Sequence, residues 1–221
     1  EVSMSKVSCI VLAAGAGRRM GHDENKIFIK LGNKSIIQWT LSNIEQVKAV
    51  SEVILVVADG EAAYMKQHIA SLGLSKSIKI ITGGKERQDS VYAGLQAVSD
   101  DMDIVLVHDG ARPLAKPELF ERVIEGAKTH GAVTIGVPST DTIKRVDIDG
   151  QVLETLNRNE LMNIQTPQGF LKDIFKEAQE TAKRDAYLGT DDVSLVEYIG
   201  KDVYILEGDY ENIKVTTPND I

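Results

Sequence analysis

The sequence predicts an α/β fold: a doubly wound, mostly parallel twisted sheet flanked by helices on both faces. Short apolar runs rich in β-branched residues recur along its 221 residues, as expected for strands buried on both sides of a parallel sheet. Between these runs, apolar side chains recur at helical spacing. Because strands alternate with helices in this way, neighbouring strands are predicted to be joined by helical crossovers.

Five apolar runs are predicted to form buried strands, at residues 8–13, 53–58, 78–82, 104–107 and 132–137. Apolar stripes predict helices around residues 37–47, 119–127 and 171–178. The second of these has Pro117 near its start and Gly131 after its end, which is the usual placement of these two residue types at helix termini.

Residues 139–158 do not follow this alternation. Two short alternating runs flank Asp149 and Gly150, a dipeptide that favours a tight hairpin turn. An isolated two-stranded hairpin is marginal in water, so this protruding β-arm is expected to pack on something larger. A second copy of the chain is one candidate, and packing on its own domain is the alternative.

The composition is that of an ordinary globular protein, with 43% hydrophobic and 26% charged residues. We predict a single domain over residues 4–221 and interpret residues 1–3, ahead of Met4, as a remnant of expression. The net charge of −8 argues against a nucleic-acid partner, which needs a basic face. With no long apolar stretch and no signal-peptide pattern, we expect a cytoplasmic protein without a membrane partner. Cys9, within the first predicted strand, is expected to be a core residue.

The turn after the first strand carries the strongest signal for a ligand. Gly15 and Gly17 let the backbone turn sharply and approach a ligand with no Cβ in the way, and Arg19 and Lys26 follow. In open α/β sheets ligands bind at the strand tips, and free N–H groups with nearby cations suit a polyphosphate. The sequence therefore predicts a polyphosphate site here; a surface turn with solvated arginines is the alternative.

Two other functional classes are compatible with a Gly-x-Gly turn. An NAD-dependent oxidoreductase would need a third small residue where Met20 stands, and only Asp59 partly matches the acidic residue expected after the second strand. A non-catalytic nucleotide-binding module is the other alternative, because a fold does not by itself establish catalysis.

Two further segments follow predicted strands. In GGKERQDS, residues 83–90, the glycines permit close backbone approach and Ser90 can bond a ligand near a helix start; a polar glycine turn is the alternative. In HDGARP, residues 108–113, Asp109 lies at a strand tip, and the planar guanidinium of Arg112 can bind a phosphate. An Asp–Arg pair that closes a tight turn is the alternative for this segment.

The chain resembles the 2-C-methyl-D-erythritol 4-phosphate cytidylyltransferases, a family of sugar-phosphate nucleotidyltransferases, over residues 10–218. The motifs that carry the resemblance are LAAGAGRRM with a lysine at position 26, GGKERQDS, HDGARP, DTIK at 141–144 and NIKVT at 212–216. The resemblance implies a Rossmann-like nucleotidyltransferase fold and transfer of CMP from CTP to a polyol phosphate in the non-mevalonate route to isoprenoids. Ribitol 5-phosphate cytidylyltransferases share several of these motifs and are the alternative. Where the family usually has Pro-Lys-Gln, this chain has Asn25-Lys26-Ile27.

The resemblance also implies roles for individual residues. Arg19 and Lys26 would stabilise charge on the α-phosphate, whereas Arg158 and Lys214 would hold the polyol phosphate in line. The other implied contacts are Thr142, Asp109 and Arg112 for the polyol phosphate, and Ala13, Ala14, Gly15, Gly17, Gly84, Ser90 and Ala111 for CTP. Taken alone, Lys214 in an NIKVT strand would be a solvated edge residue.

The chemistry and assembly implied by the resemblance complete the prediction. A phosphate monoester is already mostly a dianion at pH 7, so its attacking oxygen needs no general base. The four histidines agree, because they form no Ser-His-Asp or Cys-His pattern. A divalent cation, expected to be Mg²⁺, would bridge the phosphates, although no metal ligand is predicted. A homodimer joined through the 139–158 arms would place Arg158 of one chain in the site of the other.

Overall fold

The computed structural model describes residues 5–15 and 25–221. Its strands, in chain order, are β1 (Val7–Ala13), β2 (Lys30–Leu31), β3 (Lys34–Ser35), β4 (Val50–Val57), β5 (Ser77–Thr82), β6 (Ile104–Asp109), β7 (Ala132–Pro138), β8 (Lys144–Val146), β9 (Val152–Thr155), β10 (Met162–Leu171) and β11 (Tyr204–Glu207). Its α-helices are α1 (Ile36–Glu45), α2 (Ala62–Ala70), α3 (Arg87–Ala97), α4 (Pro117–His130), α5 (Lys172–Arg184) and α6 (Asp192–Tyr198).

Seven of these strands form the central sheet, in the order β11-β7-β10-β6-β1-β4-β5. Strand β1 pairs in parallel with β4 and β6, and the pairs β4–β5 and β7–β11 are parallel as well. Strand β10 is antiparallel to both of its neighbours, β6 and β7. The predicted doubly wound, mostly parallel sheet is confirmed.

Helices cover both faces of this sheet, and its central strands bury side chains on both sides. On β1, Val7, Cys9 and Val11 pack into the apolar layer under α1, α2 and α4, whereas Ile10 packs into the layer under α3, α5 and α6. This alternation follows from the two-residue period of a strand. Cys9 is the core residue that the sequence predicts, and burial raises the pKa of its thiol well above the usual range.

The five predicted strands are present, with bounds that differ by a few residues. Four of them are buried as expected, whereas β5 is only half-buried because it lies at the edge of the sheet. The predicted helices correspond to α1, α4 and α5, and α4 has Pro117 in its first turn and Gly131 at its C-cap with φ of +87°. Helix α1 ends at Glu45, so the buried Val47 of the predicted stripe lies just beyond it.

Strand β10 carries no strand pattern in the sequence, because Gln165, Pro167 and Gln168 lie in its middle. A proline argues against a central strand, since it has no N–H to donate. Here the register between β10 and β7 shifts between Ile164 and Gln168, and Pro167 lies in that interruption. The proline is therefore accommodated without the loss of a ladder bond.

The NIKVT segment is not the strand that its sequence suggests, and this expectation is wrong. Residues 212–216 run as irregular chain beside the loop after β6, where the Val215 N–H donates to the Ala111 carbonyl at 2.9 Å. The strand near this end of the chain is β11 instead, which pairs in parallel with β7 at the edge of the sheet.

The predicted hairpin lies within residues 139–158, where β8 and β9 pair in antiparallel fashion outside the central sheet. Gly150 has φ of +88°, a conformation that favours glycine, and the Asp147 carboxylate accepts from the N–H groups of Asp149 and Gln151. All residues of both strands are exposed, and the side chain of Ile148 at the tip is fully exposed. No helix in the described part of the chain is long and apolar enough to cross a membrane.

Candidate active site

The site lies where the order of the strands reverses. From β1 the chain adds β4 and then β5 on one side, and it returns to β6 on the other side of β1. In an open α/β sheet, ligands bind in the crevice beyond the carboxyl ends of the strands at such a point. A cavity of about 730 Å³ opens there.

Four parts of the chain line this cavity: the tip of β1, the turn that carries Lys26, the start of α3, and the β6 tip with the C-terminal segment. The predicted CTP contacts Ala13, Ala14, Gly15, Gly84, Ser90 and Ala111 all lie in its lining. Gly17 and Arg19 fall outside the described residues. The structure thus brings the described members of the predicted set together, and their contacts with a nucleotide stay a prediction.

Hydrogen bonding within the glycine turn shapes the wall at the start of α3. The Gly84 N–H donates to the Ser90 hydroxyl at 3.1 Å, which folds the turn back onto the helix. A Cβ on Gly83 would lie 2.5 Å from Ser90 Oγ, and one on Gly84 would lie 2.5 Å from the Cβ of Asp89. This tight turn therefore requires glycine at both positions.

Lys26 lines the opposite wall, at the start of a short 3-10 turn, Lys26–Phe28. The residue before it, Asn25, caps that turn through Oδ1, which accepts from the Ile27 N–H. The Asn25 amide also donates to the Ala13 carbonyl at the tip of β1, at 2.9 Å. No sequence pattern points to Asn25, because an asparagine ahead of a lysine is not a motif in itself.

Three cations surround the carboxylate of Asp109 at the tip of β6. Its Oδ1 lies 3.1 Å from Arg87 Nη2, and its Oδ2 lies 3.3 Å from Arg112 Nε and 3.8 Å from Lys214 Nζ. Burial disfavours the charged carboxylate, but the three cations outweigh burial and hold the pKa of Asp109 well below its usual range. Asp109 is therefore a permanent negative charge that orients Lys214 beside the cavity.

Arg87 is a cavity residue that the sequence-based prediction missed. Its guanidinium forms a two-pronged pair with Asp192, at 3.1 and 3.0 Å, in addition to its bond with Asp109. Burial opposes the charge of Arg87, but Asp192 and Asp109 outweigh it and raise the pKa of the guanidinium. Asp192 is the first residue of α6 and lies 105 residues from Arg87 along the chain. No local sequence pattern therefore indicates this pair.

His108 lies beneath Asp109 and is fully buried. The Thr166 hydroxyl accepts from the Asp109 N–H at 3.0 Å and lies 2.9 Å from His108 Nδ1. Burial lowers the pKa of His108 to about 3, so the imidazole is neutral. The Thr166 hydroxyl can donate to Nδ1 of the neutral imidazole, whereas the buried Nε2 has no hydrogen-bond partner among the described residues. His108 does not line the cavity.

Arg112 does not line the cavity. Its Nε pairs with Asp109, and its Nη1 donates to the Asn212 carbonyl at 2.7 Å. The Arg112 N–H also donates to the Asp109 carbonyl at 3.1 Å, which closes the turn. This geometry favours the structural alternative for Arg112: the guanidinium braces the C-terminal segment that carries Lys214.

Thr142 and Arg158 belong to the arm and do not line the cavity of their own chain. Arg158 is exposed, and its Nη1 donates to the Thr140 carbonyl at 3.0 Å. Within one chain, the structure therefore does not bring these two predicted substrate contacts together with Lys26 and Lys214.

A metal ion held by the protein does not fit the described residues. They contain no group of three or more His, Cys, Asp or Glu side chains that could hold a metal ion. Among the lining residues, Asp109 has both carboxylate oxygens paired with cations, and Glu86 is the other carboxylate. The donor set available to a cation in the described cavity is therefore poor.

Lysine ammonium groups and a glycine turn at the tips of β1, β5 and β6 suit a nucleoside triphosphate, and the doubly wound sheet that carries them superposes on those of solved cytidylyltransferases, a class of nucleotidyltransferase. The chain belongs to the 2-C-methyl-D-erythritol 4-phosphate cytidylyltransferase family, whose model matches residues 7–221.

Several relatives are similar over nearly their whole length. A 2-C-methyl-D-erythritol 4-phosphate cytidylyltransferase of Pelotomaculum thermopropionicum is 45% identical over 219 residues, which cover 99% of this chain and 92% of that protein. The one of Alkaliphilus metalliredigens is 47% identical, over 98% of this chain and 90% of that protein. The crystal structure of the 4-diphosphocytidyl-2C-methyl-D-erythritol synthase of Anaerococcus prevotii superposes with a TM-score of 0.88 at 32% identity, over 99% of this chain and 95% of that one.

Proposed function

We propose that this protein transfers CMP from CTP to 2-C-methyl-D-erythritol 4-phosphate, in the non-mevalonate route to isoprenoids. A phosphate oxygen of the polyol attacks the α-phosphorus of CTP, the bond to the bridging α–β oxygen breaks, and pyrophosphate leaves. The observation that carries the proposal is the single cavity in which the β1 tip, the α3 glycine turn, Lys26 and Lys214 meet. Family membership supports the same reaction.

CTP is proposed to bind along the tips of β1 and β5. The triphosphate lies over the turn that begins at Ala13–Gly15, where backbone N–H groups suit its charge. The base lies toward Gly84 and Ser90, because the glycine turn there lets the backbone approach a planar ring closely. Ala111 lines the cavity on the other side of β1, after the tip of β6.

Charge is the main obstacle to this reaction. A dianionic phosphate approaches a triphosphate, and charge on the α-phosphate oxygens grows in the transition state. Lys26 and Arg19 are proposed to stabilise that charge, and Lys214, held by Asp109, is proposed to hold the incoming phosphate. No residue acts as a general base in this scheme, because the attacking phosphate is already ionised at pH 7.

Mg²⁺ is proposed to enter as the counterion of CTP. A magnesium ion commonly binds substrate phosphates and water with few protein ligands. Because Asp109 is committed to three cations, no step of the proposed mechanism passes through a metal held by the protein.

The polyol phosphate site is proposed to be completed by a second copy of the chain. Thr142 and Arg158 lie on an arm whose residues Val146, Ile148, Val152 and Leu153 expose between 49% and 100% of their surface. A small hairpin with such exposed apolar side chains is stabilised by packing against a partner. In a two-fold dimer each arm then brings Arg158 to the neighbouring site. The single domain over 4–221 and the cytoplasmic location stay predictions.

Pyrophosphate release tests the proposal. The purified protein is supplied with CTP and, in separate reactions, with 2-C-methyl-D-erythritol 4-phosphate or ribitol 5-phosphate. We expect turnover with the methylerythritol substrate and a kcat/KM at least tenfold lower with ribitol phosphate. Turnover confined to ribitol phosphate would establish the alternative substrate. Calorimetric binding of CTP without turnover of either would indicate a non-catalytic module, and binding of NAD in place of CTP would restore the oxidoreductase hypothesis.

A further inference from the structure

We propose that Asn25 is a positioning residue, whose side chain holds the backbone of Lys26 at the tip of β1 so that its ammonium group meets the α-phosphate. This inference rests on the proposed role of Lys26 in CMP transfer. Asn25 touches neither reacting group in the proposal and acts through Lys26 alone.

The contacts of Asn25 all point into the protein. Its Nδ2 donates to the Ala13 carbonyl at 2.9 Å and lies 3.4 Å from Glu61 Oε2, while its Oδ1 accepts from the Ile27 N–H at 3.4 Å. The residue is 3% exposed, although its surface contributes to the cavity wall. With donors and acceptor committed to protein partners, the amide has little capacity left for a nucleotide.

The position of these contacts explains why they bear on Lys26. The Ala13 carbonyl belongs to the last residue of β1, the strand whose tip the cavity surrounds. The Ile27 N–H belongs to the 3-10 turn that Lys26 opens. The Asn25 side chain therefore connects the end of β1 to the turn that contains Lys26. This connection fixes the position of the Lys26 backbone relative to the strand.

The turn is anchored from its far end as well. Phe28 packs edge-on against Tyr64 and His68 of α2, with ring centroids 4.8 and 5.1 Å apart, and Glu61 precedes the same helix. Asn25 and Phe28 thus fix the two ends of a three-residue turn. A catalytic side chain has to be held within a fraction of an ångström, and displacement by about 1 Å can cost about 100-fold in rate.

The test compares the Asn25→Ala, Lys26→Ala and double variants with wild type in steady-state kinetics. We expect N25A to lower kcat about 10- to 100-fold and to change the KM for CTP by less than about threefold. The double variant is expected to have the kcat of K26A within about twofold, because Asn25 has nothing left to position once the ammonium group is gone.

Asn43→Ala is the matched control. The Asn43 amide makes an equivalent bond, donating to the Pro113 carbonyl at 2.8 Å from α1, so its loss reports the effect of one amide–carbonyl bond on stability. We expect N43A to lower the denaturation midpoint about as much as N25A and to leave kcat within about twofold of wild type. If N25A does not fold, Asn25→Ser, which keeps an N-cap oxygen and loses the reach to Ala13, takes its place.

Each outcome bears on a separate statement. If K26A is impaired and N25A keeps its kcat, the positioning role is wrong and the proposed function stands. If K26A keeps its kcat, Lys26 has no role in the reaction, and the positioning role of Asn25 is wrong as well. A rise in the KM for CTP with unchanged kcat in N25A would mark Asn25 as a direct nucleotide contact. A further loss in the double variant would show that Asn25 acts independently of Lys26, and either result would overturn the inference.

Discussion

Arg87 Nη2 lies 3.1 Å from Asp109 Oδ1, which joins the first turn of α3 to the tip of β6 across the cavity. The two residues belong to different walls: Arg87 follows the glycine turn proposed to read the base, whereas Asp109 orients Lys214. Asp192 holds Arg87 from behind with both carboxylate oxygens. The proposed nucleotide and polyol-phosphate subsites therefore share one network of ion pairs.

Removal of Arg87 is predicted to destabilise the fold strongly. Asp192 is 2% exposed, and Arg87→Ala leaves that carboxylate buried without its partner, a situation that typically costs about 3–5 kcal/mol. Asp192→Asn removes the buried charge itself and should cost less. Urea denaturation of the variants checks this, with Lys6→Ala as the control, since it breaks the exposed Lys6–Asp101 pair. Equal effects of R87A and K6A would contradict the prediction.

Lys26→Ala is predicted to lower turnover far more than it weakens CTP binding. Loss of one group that stabilises transition-state charge costs roughly 3–4 kcal/mol, about two to three decades in kcat. Steady-state kinetics and CTP calorimetry measure the two quantities separately. Lys30→Ala, which removes an exposed lysine four residues further on, serves as the control and should behave as wild type. A K26A variant with near-normal kcat would remove Lys26 from the mechanism.

The pH dependence of the rate is predicted to follow the substrate. With no general base, the rate should rise near the second pKa of the polyol phosphate, about 6, and then stay flat until a lysine or the metal–nucleotide complex titrates. His108 is neutral and buried, so His108→Gln should keep this limb in place. A limb that disappears in H108Q would mean that the histidine takes the proton.

The stability of the fold is predicted to fall in acid, and part of this loss belongs to His108. Burial lowers its pKa to about 3, below that of an unfolded histidine. Between about pH 3 and pH 6.5 the unfolded chain therefore binds a proton that the folded chain does not, and stability falls by up to about 1.4 kcal/mol per pH unit as the pH drops.

The cations around Asp109 act in the same direction. Its pKa is depressed in the folded state, so its contribution to stability is present at neutral pH and is lost as the pH falls below the range of an unfolded aspartate. Denaturation midpoints of wild type and H108Q from pH 4 to 7 measure the difference. The free energy of unfolding obtained from these curves should depend less steeply on pH in H108Q, by an amount that corresponds to nearly one proton. Equal pH dependences of the two proteins would contradict the assignment of a neutral histidine.

Complementation between subunits is predicted for a dimer with exchanged arms. Lys26→Ala and Arg158→Ala homodimers should each be nearly inactive, because every site contains one defect. After subunit exchange at equal amounts, half of the dimers are mixed, and each holds one doubly damaged and one intact site. Activity should recover to roughly a quarter of wild type. Exchange that is demonstrated by mass spectrometry without recovery would show that the arm does not serve the neighbouring site.

Patterns local in sequence were sufficient for the sheet and for much of the site. The apolar runs that became β1, β4, β6 and β7 are largely buried on both faces, and the half-buried edge strand β5 keeps the same apolar pattern, so each run is recognisable without its neighbours. The glycine turn behaves in the same way in part, because the atoms that a Cβ would meet first, Ser90 Oγ at Gly83 and Asp89 Cβ at Gly84, lie five to seven residues further on in the same segment. Lys26 and Lys214 were predicted by motif, and both line the cavity.

Tertiary structure decided what depends on distant partners. Strand β10 is central although Pro167 lies in it, since a register shift against β7 accommodates the residue. Arg112 braces the Asn212 carbonyl, 100 residues further on, and the Arg87–Asp192 pair spans 105 residues, so neither contact leaves a pattern along the chain. The same holds for Asn25, whose partner is the backbone carbonyl of Ala13. The sequence by itself determined most of the strands, the turns and the charged groups. Packing decided which charges pair and which backbone groups the side-chain amides bind, because hydrogen bonds and ion pairs depend on distance in space.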